Sequence, residues 1–319
     1  MGRYILRRLL ISIPILFGLT LMTFVMANLM PGDYIDTLIP PEQAARRSPA
    51  EIAALRESYG LNQPLMVRYA VWLRELAHGN LGYSFQSGEP VLKEIMARLP
   101  STLQITVTAL VLGVVLGTVL GTLAALRQHS WLDQLLAVLG FVWISTPSFV
   151  FALGAIYLFS LRLPIFPTGG MGPRGDDSFL ARLPYLVLPA TVLGLEQVAG
   201  FMRYVRSSLL EVMRQEYVTV ARAKGLSRWT VLARHTFRNA LLPLVTIMSL
   251  SLPSLIGGAV IIETIFVWQG MGSYSIGAVT ARNYPVIMGV NLVASVMVLV
   301  SNLTADILYA FVDPRIRYD

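Results

Sequence analysis

One basic segment, residues 216–239, lies between two long apolar stretches and carries a regular pattern of charged, polar and apolar side chains. Its first part favours a helix. Gly225 then suits the left-handed position after a helix end, and Ser227 is a good cap for a new helix. Four apolar residues follow at helical spacing: Trp229, Leu232, Ala233 and Phe237. The pattern predicts two short helices and a glycine turn that offer a binding surface, although an ordinary basic loop at a membrane face is the alternative.

Composition places the chain in the membrane. Hydrophobic residues make up 55% of the sequence and charged residues only 13%, whereas soluble domains carry about 25% charged residues. The absence of cysteine excludes disulfides, thiolate catalysis and cysteine-ligated metals. The net charge of +7 is distributed as a membrane topology requires, which argues against nucleic acid as a partner.

The apolar segments predict an all-α membrane protein with six transmembrane helices, each near the length needed to cross a bilayer. These spans are residues 9–30, 102–126, 135–161, 185–205, 241–267 and 286–311. Arg3, Arg7 and Arg8 precede the first span and predict a cytoplasmic N-terminus. Six spans then place the C-terminus in the cytoplasm as well. The first span is longer than a signal-peptide core and has no clear small-x-small cleavage site.

This topology leaves residues 31–101 outside the cytoplasm. Ser48 caps a predicted helix that begins at Pro49, and Pro64 can open a second one. The segment has few large apolar groups and would hardly fold alone. It is either a cap on the channel mouth or a docking face for an extracytoplasmic protein, and the two roles are compatible.

Small residues and a proline mark two of the predicted spans. Glycines recur every four residues in the second span, at Gly113, Gly117 and Gly121, which predicts close helix packing. Pro147 interrupts the third span and predicts a kink. That kink either shapes packing or contributes to a translocation pathway.

Two acidic residues inside predicted spans are candidates for the pathway. Glu196 lies near the middle of the fourth span, where a carboxylate costs about 3 kcal/mol to insert. Its side chain should face the protein interior or water, either in the pathway or in a buried interhelical hydrogen bond. Arg203, seven residues later on the same span, is a possible partner. Glu263 lies near the outer end of the fifth span, where it either gates the pathway or reaches the membrane interface.

Several strings in this chain resemble one family. Residues 216–239 contain Tyr217-Val218-x-x-Ala221-Arg222-Ala223-Lys224-Gly225-Leu226, and His235-x-x-Arg238-Asn239-Ala240-Leu241-Leu242-Pro243 follows. They resemble the coupling loop of binding-protein-dependent ABC importers, in particular the B-type permease of the dipeptide/oligopeptide subfamily. Pro31-Gly32-Asp33, Glu263-Thr264-Ile265-Phe266 and Asp313-Pro314-Arg315 are similar to that subfamily too. Asn80 stands where the subfamily usually has Asp, and Thr219-Val220-Ala221 replaces the broader Glu-Ala-Ala.

The resemblance implies a type I importer fold, with an N-terminal part at 1–101 and a five-span core at 102–319. Within the core, the coupling loop spans about 207–240. By resemblance, residues that contact the ATPases are Tyr217, Ala221, Arg222, Ala223, Lys224, Gly225, Leu226 and Arg228. Implied partners are a homologous C-type permease, two cytoplasmic ATPases and an extracytoplasmic substrate-binding protein. Implied substrates are di- or oligopeptides, with nickel complexes, glutathione or another small solute as alternatives, in the inner membrane of a bacterium or archaeon.

The chain itself lacks the residues of an enzyme. There is no phosphate-binding loop, so ATP and Mg²⁺ are expected only in partner subunits, and no cofactor in this chain. His78, His129 and His235 lie in separate loops, which argues against a shared metal site. An ion-coupled secondary transporter remains an alternative, with Glu196 as the coupling group, while an intramembrane hydrolase lacks a histidine base within the spans.

Overall fold

The computed structural model describes residues 2–29, 31–39, 43, 47–173, 178–237, 240 and 244–312. Within these residues the chain is helical, and its extended pairing is one isolated bridge between Tyr83 and Pro90. The helices are α1 Gly2–Leu29, α2 Tyr34–Leu38, α3 Pro49–Ser58, α4 Leu65–Ala77, α5 Val91–Leu126, α6 Trp131–Ser145, α7 Ser148–Ala155, the π-helical π1 Ile156–Arg162, α8 Phe179–Met213, α9 Glu216–Ala223, α10 Arg228–Thr230, the π-helical π2 Val231–Phe237, α11 Leu244–Ile265, α12 Met271–Thr280 and α13 Tyr284–Val312.

The chain divides into two compact units. One comprises Met1–Ser101 together with Gln269–Leu299, and the other comprises Thr102–Trp268 together with Val300–Asp319. The prediction from sequence placed 269–299 in the core with the rest of 102–319. In the structure this stretch is compact with the N-terminal residues, and the predicted domain boundary after residue 101 stays a prediction.

Four helices of the described residues are long and apolar enough to cross a membrane: Leu6–Leu29, Val91–Leu126, Phe179–Met213 and Tyr284–Thr304. A fifth span results if α6 and α7 are counted as one broken helix. Helix α11 covers most of the predicted fifth span. The membrane character and helical fold are therefore confirmed, while the count of six spans stays a prediction.

The predicted third span is broken rather than kinked. Helix α6 ends at Ser145, Thr146 is extended, and Pro147 precedes α7, which runs at 104° to α6. A residue before proline is excluded from the helical region by the proline ring, and this accounts for the extended Thr146. The chain therefore changes direction between α6 and α7, and the two helices do not form one continuous helix.

The three glycines of α5 allow α8 to lie directly against it. A methyl group at Gly113 would lie 2.6 Å from Gln197 Cβ, and one at Gly117 would lie 2.6 Å from Phe201 Cβ. At Gly121 it would lie 2.6 Å from the Met202 carbonyl oxygen. The close packing predicted from the four-residue spacing is confirmed, and α8 is its partner.

Helix α8 is the most enclosed of the apolar spans, since 61% of its apolar window is buried. Around its outer half, residues of α5, α7 and α11 form one apolar cluster that includes Ile105, Ala152, Ala190 and Ala259. Bilayer lipid is as apolar as these side chains, so close packing of small residues contributes more here than apolar burial does. Helix α8 is therefore the scaffold for the loop that follows it.

The predicted helix starts of the first unit are confirmed. Ser48 accepts a hydrogen bond from Glu51 N at 3.3 Å, and the Glu51 carboxylate accepts one from Ser48 N at 3.0 Å, which completes a capping box. Helix α4 begins directly after Pro64. Tyr34 donates to the Phe85 carbonyl oxygen at 2.7 Å, and burial raises the pKa of its hydroxyl.

Helix α4 packs along α1 rather than beyond its end. The Tyr69 hydroxyl lies 2.9 Å from Thr20 Oγ1 and donates to the Phe17 carbonyl oxygen at 3.3 Å. Thr20 is nine residues before the end of α1 at Leu29, which corresponds to about 13 Å along the axis. Helix α4 is thus placed beside the apolar part of α1.

The close approach of α5 and α8 yields a stability prediction. Gly117→Val puts three carbons where the structure has no room, and we expect it to lower the free energy of unfolding by about 1–3 kcal/mol. Gly154→Ala in α7 is the control, because nothing lies within 4 Å of its added methyl and alanine favours a helix by about 1 kcal/mol over glycine. Thermal unfolding in detergent measures both, and equal midpoints would contradict the packing account.

Candidate functional site: the loop after α8 and the polar residues of the spans

The loop after α8 has one anchored face and one free face. In α9, Val218 is fully buried and Ala221 is 5% exposed, and both pack with Val231 and Val212 in a small apolar cluster. Residues three apart lie on the same side of a helix. This pair therefore fixes α9 to the rest of the loop and leaves its opposite side outward.

The predicted glycine turn and helix cap are present. Helix α9 ends at Ala223, and Gly225 adopts φ +76°, the left-handed conformation that glycine adopts without a steric penalty. Ser227 Oγ then accepts a hydrogen bond from Thr230 N at 3.2 Å. The helix, turn and helix order read from the residues is therefore confirmed.

The predicted apolar face of the second helix is wrong in its details. Trp229 is 74% exposed, while Val231 and Thr236 are buried. Residues 231–237 form the π-helix π2, in which hydrogen bonds join residues five apart, and Thr236 Oγ1 donates to the Val231 carbonyl oxygen at 3.2 Å. The wider turn brings positions i and i+5 to one side, so the 3.6-residue period used for the prediction does not apply.

Four large side chains of the loop are exposed, and they are called the exposed patch below. Its members are Tyr217, Val220, Leu226 and Trp229, which are 44, 52, 41 and 74% exposed. Arg222 and Lys224 are exposed beside them. Aromatic and apolar groups surrounded by cations are what a protein-binding surface presents.

The loop is tied to the C-terminal end of α8. Ser208 Oγ donates to the Ala240 carbonyl oxygen at 2.9 Å, and Ala240 packs with Phe201, Val205 and Leu209 of α8 in an apolar cluster. A force on the loop therefore acts on α8 through packed side chains. The matching residues Arg238 and Asn239, and 241–243, lie outside the described residues, as do the side chains of Arg228 and His235.

An ion pair between Arg206 and the buried Asp133 joins α8 to the start of α6. Arg206 donates twice to Asp133, through Nε to Oδ1 at 2.6 Å and through Nη2 to Oδ2 at 2.8 Å. Asp133 is 5% exposed and also accepts from His129 N at 3.0 Å. Bidentate guanidinium pairs are the strongest of the charged hydrogen bonds, so this pair holds the start of α6 against α8. Sequence reasoning missed it, because the two residues are 73 positions apart.

Glu263 is fully buried and accepts a hydrogen bond from Thr102 Oγ1 at 2.6 Å. The expectation that it could reach the membrane interface is therefore wrong. Thr102 is a donor to this carboxylate. The hydrogen bond joins α5, at residue 102, to the end of α11.

Glu196 is exposed on α8, as is Arg203. In the described part of the chain the two form no ion pair, and Glu196 has no hydrogen-bond partner, so the expected interhelical hydrogen bond within the chain is not found. Pro147 is exposed at the break between α6 and α7. The structure does not bring Glu196, Pro147 and Glu263 into one hydrogen-bonded site.

Comparison with known proteins agrees with this architecture. Residues 117–318 match the family described as binding-protein-dependent transport system inner membrane component, and residues 1–106 match the N-terminal family of the same systems. The chain belongs to this family. It is a membrane permease component of an ABC transport system.

Relatives extend over the full length of this permease. It is 42% identical over 320 residues to the oligopeptide transport system permease protein AppB of Bacillus subtilis (strain 168), with all of both chains covered. It is 37% identical over 335 residues to the dipeptide transport system permease protein DppB of Alkalihalophilus pseudofirmus, with 99% of each covered. These relatives establish the family along the whole sequence.

A solved structure shows the same fold. A chain of the MetNI methionine ABC transporter, in inward-facing conformations, aligns with a TM-score of 0.57 over 70% of this permease and 99% of that chain. At 17% identity this likeness bears on the fold alone. The type I importer fold expected from the resemblance is confirmed.

The Asp133–Arg206 pair gives a second stability prediction. Asp133→Asn keeps an acceptor for His129 N but removes the charge facing Arg206. We expect it to lower the free energy of unfolding by about 1–3 kcal/mol, at the low end because Arg206 is one-third exposed. Glu89→Gln, which breaks the exposed pair with Lys93, should leave the thermal midpoint unchanged. Equal midpoints for both variants would contradict the structural role of Asp133.

Proposed function

We propose that this permease carries di- or oligopeptides into the cell as one half of a transmembrane pathway. The names of the oligopeptide and dipeptide relatives support the substrate class. The single structural observation that supports coupling to a motor is α9, which is anchored by Val218 and Ala221 and presents the exposed patch outward. Nickel complexes, glutathione or another small solute are the alternative cargoes within the same class.

The proposed assembly contains a C-type sibling permease, two cytoplasmic ATPases and an extracytoplasmic binding protein, in a bacterial or archaeal inner membrane. ATP and Mg²⁺ bind in the ATPases, and this chain contributes no cofactor. Closing of the ATPases moves the exposed patch together with Arg222, Lys224 and Gly225. Because Ala240 is packed on α8, the movement passes to α8 and tilts it with α5, whose glycines lie directly against it.

The exposed position of Glu196 is consistent with a pathway shared with a second subunit. A carboxylate on a membrane helix is stable only beside protein or water. We infer that Glu196 faces the sibling permease or the water-filled path between the two chains. Pro147, exposed at the helix break, is a second pathway candidate. Glu263, buried against Thr102, acts by holding α11 to α5.

The importer and the secondary transporter differ in what accompanies the chain. Purification from native membranes in mild detergent, followed by mass spectrometry, should recover a sibling permease and two ATPases that contain phosphate-binding loops. Recovery of this chain alone, able to move solute with an ion gradient, would favour the secondary transporter and contradict the proposal.

A charge reversal at Arg222, an exposed cation of the loop, tests coupling. In the assembled complex we expect Arg222→Glu to reduce ATPase activity stimulated by binding protein and peptide about tenfold, the effect of losing about 1.4 kcal/mol at an interface. Val218 and Ala221, which anchor α9, are unchanged in this variant. Arg127→Glu is the control, since Arg127 is an exposed arginine in the loop between α5 and α6.

The control should keep its stimulated activity, and both variants should insert and assemble. If Arg222→Glu and Arg127→Glu have the same activity as the unmodified complex, the patch is not the site of coupling.

A further inference from the structure

The first unit contains an apolar cavity of about 350 Å³ whose walls include residues of α1, α4 and α13. Phe24 of α1, Val71 of α4 and Met288 of α13 form part of its apolar wall. A volume of this size accommodates a small ligand or part of a larger one. None of the residues singled out for coupling or for the pathway lines it.

The cavity lies beside the apolar part of α1. Phe24 is five residues before the end of α1 at Leu29, about 7.5 Å along the axis. With the N-terminus in the cytoplasm, as the arginine pattern predicts, this level is the outer leaflet of the bilayer. The surface around the cavity is apolar too, since Met26 of α1 and Met66 and Val71 of α4 are 59, 74 and 50% exposed.

Two hydrogen-bond donors on the cavity wall lack acceptors. Trp72 Nε1 is buried without a hydrogen-bond partner in the described residues. The Arg68 guanidinium stacks on Tyr284 at 5.4 Å and on Phe24 at 6.0 Å, and within the same residues no carboxylate pairs with it. Nearby Asp33 is already paired with Arg56 at 2.7 Å. A buried donor without an acceptor costs free energy, so a ligand oxygen here would be stabilising.

One acceptor also lines the cavity. Glu75 lies seven residues after Arg68, on the same side of α4, and its carboxylate accepts a hydrogen bond from Asn80 Nδ2 at 3.0 Å. The wall therefore presents a cation, a neutral donor and an anion above an apolar pocket. That arrangement is complementary to a zwitterionic headgroup with an acyl chain.

We propose that this cavity binds one zwitterionic phospholipid of the outer leaflet. Its phosphate oxygens accept hydrogen bonds from Arg68, its ammonium group lies against Glu75, and an acyl chain enters between Phe24, Val71 and Met288, with the Trp72 ring in the wall. Guanidinium groups pair well with phosphate. Tryptophan rings are amphipathic and are enriched at the membrane interface, at the level of the headgroups. The bound lipid would fill the cavity that α1, α4 and α13 line.

Native mass spectrometry of the full chain, purified in mild detergent and delipidated, tests the site with added phosphatidylethanolamine. We expect one retained lipid per chain. Arg68→Gln should weaken binding about tenfold, as for a lost hydrogen bond to a charged group, and Trp72→Phe should weaken it less. Arg74→Gln changes an exposed arginine of the same helix that does not line the cavity, and it should bind as the unmodified chain does.

Headgroup chemistry provides an independent readout. The unmodified chain should prefer phosphatidylethanolamine over phosphatidylglycerol, and Glu75→Gln should remove that preference while still accepting from Asn80. If inorganic phosphate at equal concentration displaces the lipid, the site holds an anion only and the proposal is wrong. Equal lipid affinity in Arg68→Gln and Arg74→Gln would also overturn it.

A measurement on the unmodified chain keeps the proposal testable if the variants fail to fold. Phosphatidylethanolamine with a photoreactive acyl chain, supplied to native membranes, should label peptides that contain Val71 and Met288. Absence of label there would contradict the proposal. If Arg68→Gln instead keeps its lipid but loses capture of an added binding protein, the cavity is a protein interface and the lipid assignment is wrong.

Discussion

The direct contact between α5 and α8 is the constraint on which the core depends. Gly113, Gly117 and Gly121 have no side chain, and the backbone and Cβ atoms of α8 occupy the space that a methyl group would need. Between apolar helices in a bilayer, burial alone gives little preference for one neighbour over another, so the fit of surfaces decides the packing. This contact fixes α8, and α8 carries towards its C-terminal end both the loop and the ion pair with Asp133.

The two sides of the loop differ in how they are packed. Val218, Ala221 and Val231 attach α9 to π2, while Ser208 and Ala240 attach the end of the loop to α8. Tyr217 and Val220 remain outside this packing. A partner that binds the outer side can therefore move the loop as one body, because Val218, Ala221 and Val231 hold α9 against π2.

Local chemistry made part of this structure predictable. The cap at Ser48, the turn at Gly225 and the glycine row of α5 each depend on neighbouring residues or on a fixed helical period, and all three were read correctly from the sequence. The π-helix was not predictable, because no residue type marks a change to five-residue hydrogen bonding, and the predicted grouping of Trp229 with Leu232 and Phe237 on one helical face fails for this reason. Asp133–Arg206 and Thr102–Glu263 join positions far apart in the chain, which a single sequence does not reveal. Glu196 illustrates the remaining gap, since the sequence shows an acidic residue within a predicted span but does not show what surrounds its carboxylate.

The central claim is that the outward side of α9 is the contact with the ATPase. The chain has no cysteine, so a single introduced cysteine can carry a unique cross-linker with an amine-reactive second end. In membranes that contain the whole transporter, Val220→Cys should cross-link to the ATPase, whereas Val218→Cys, at a fully buried position on the same helix, should not. Cross-linking to the ATPase from Arg127→Cys but not from Val220→Cys would contradict the account.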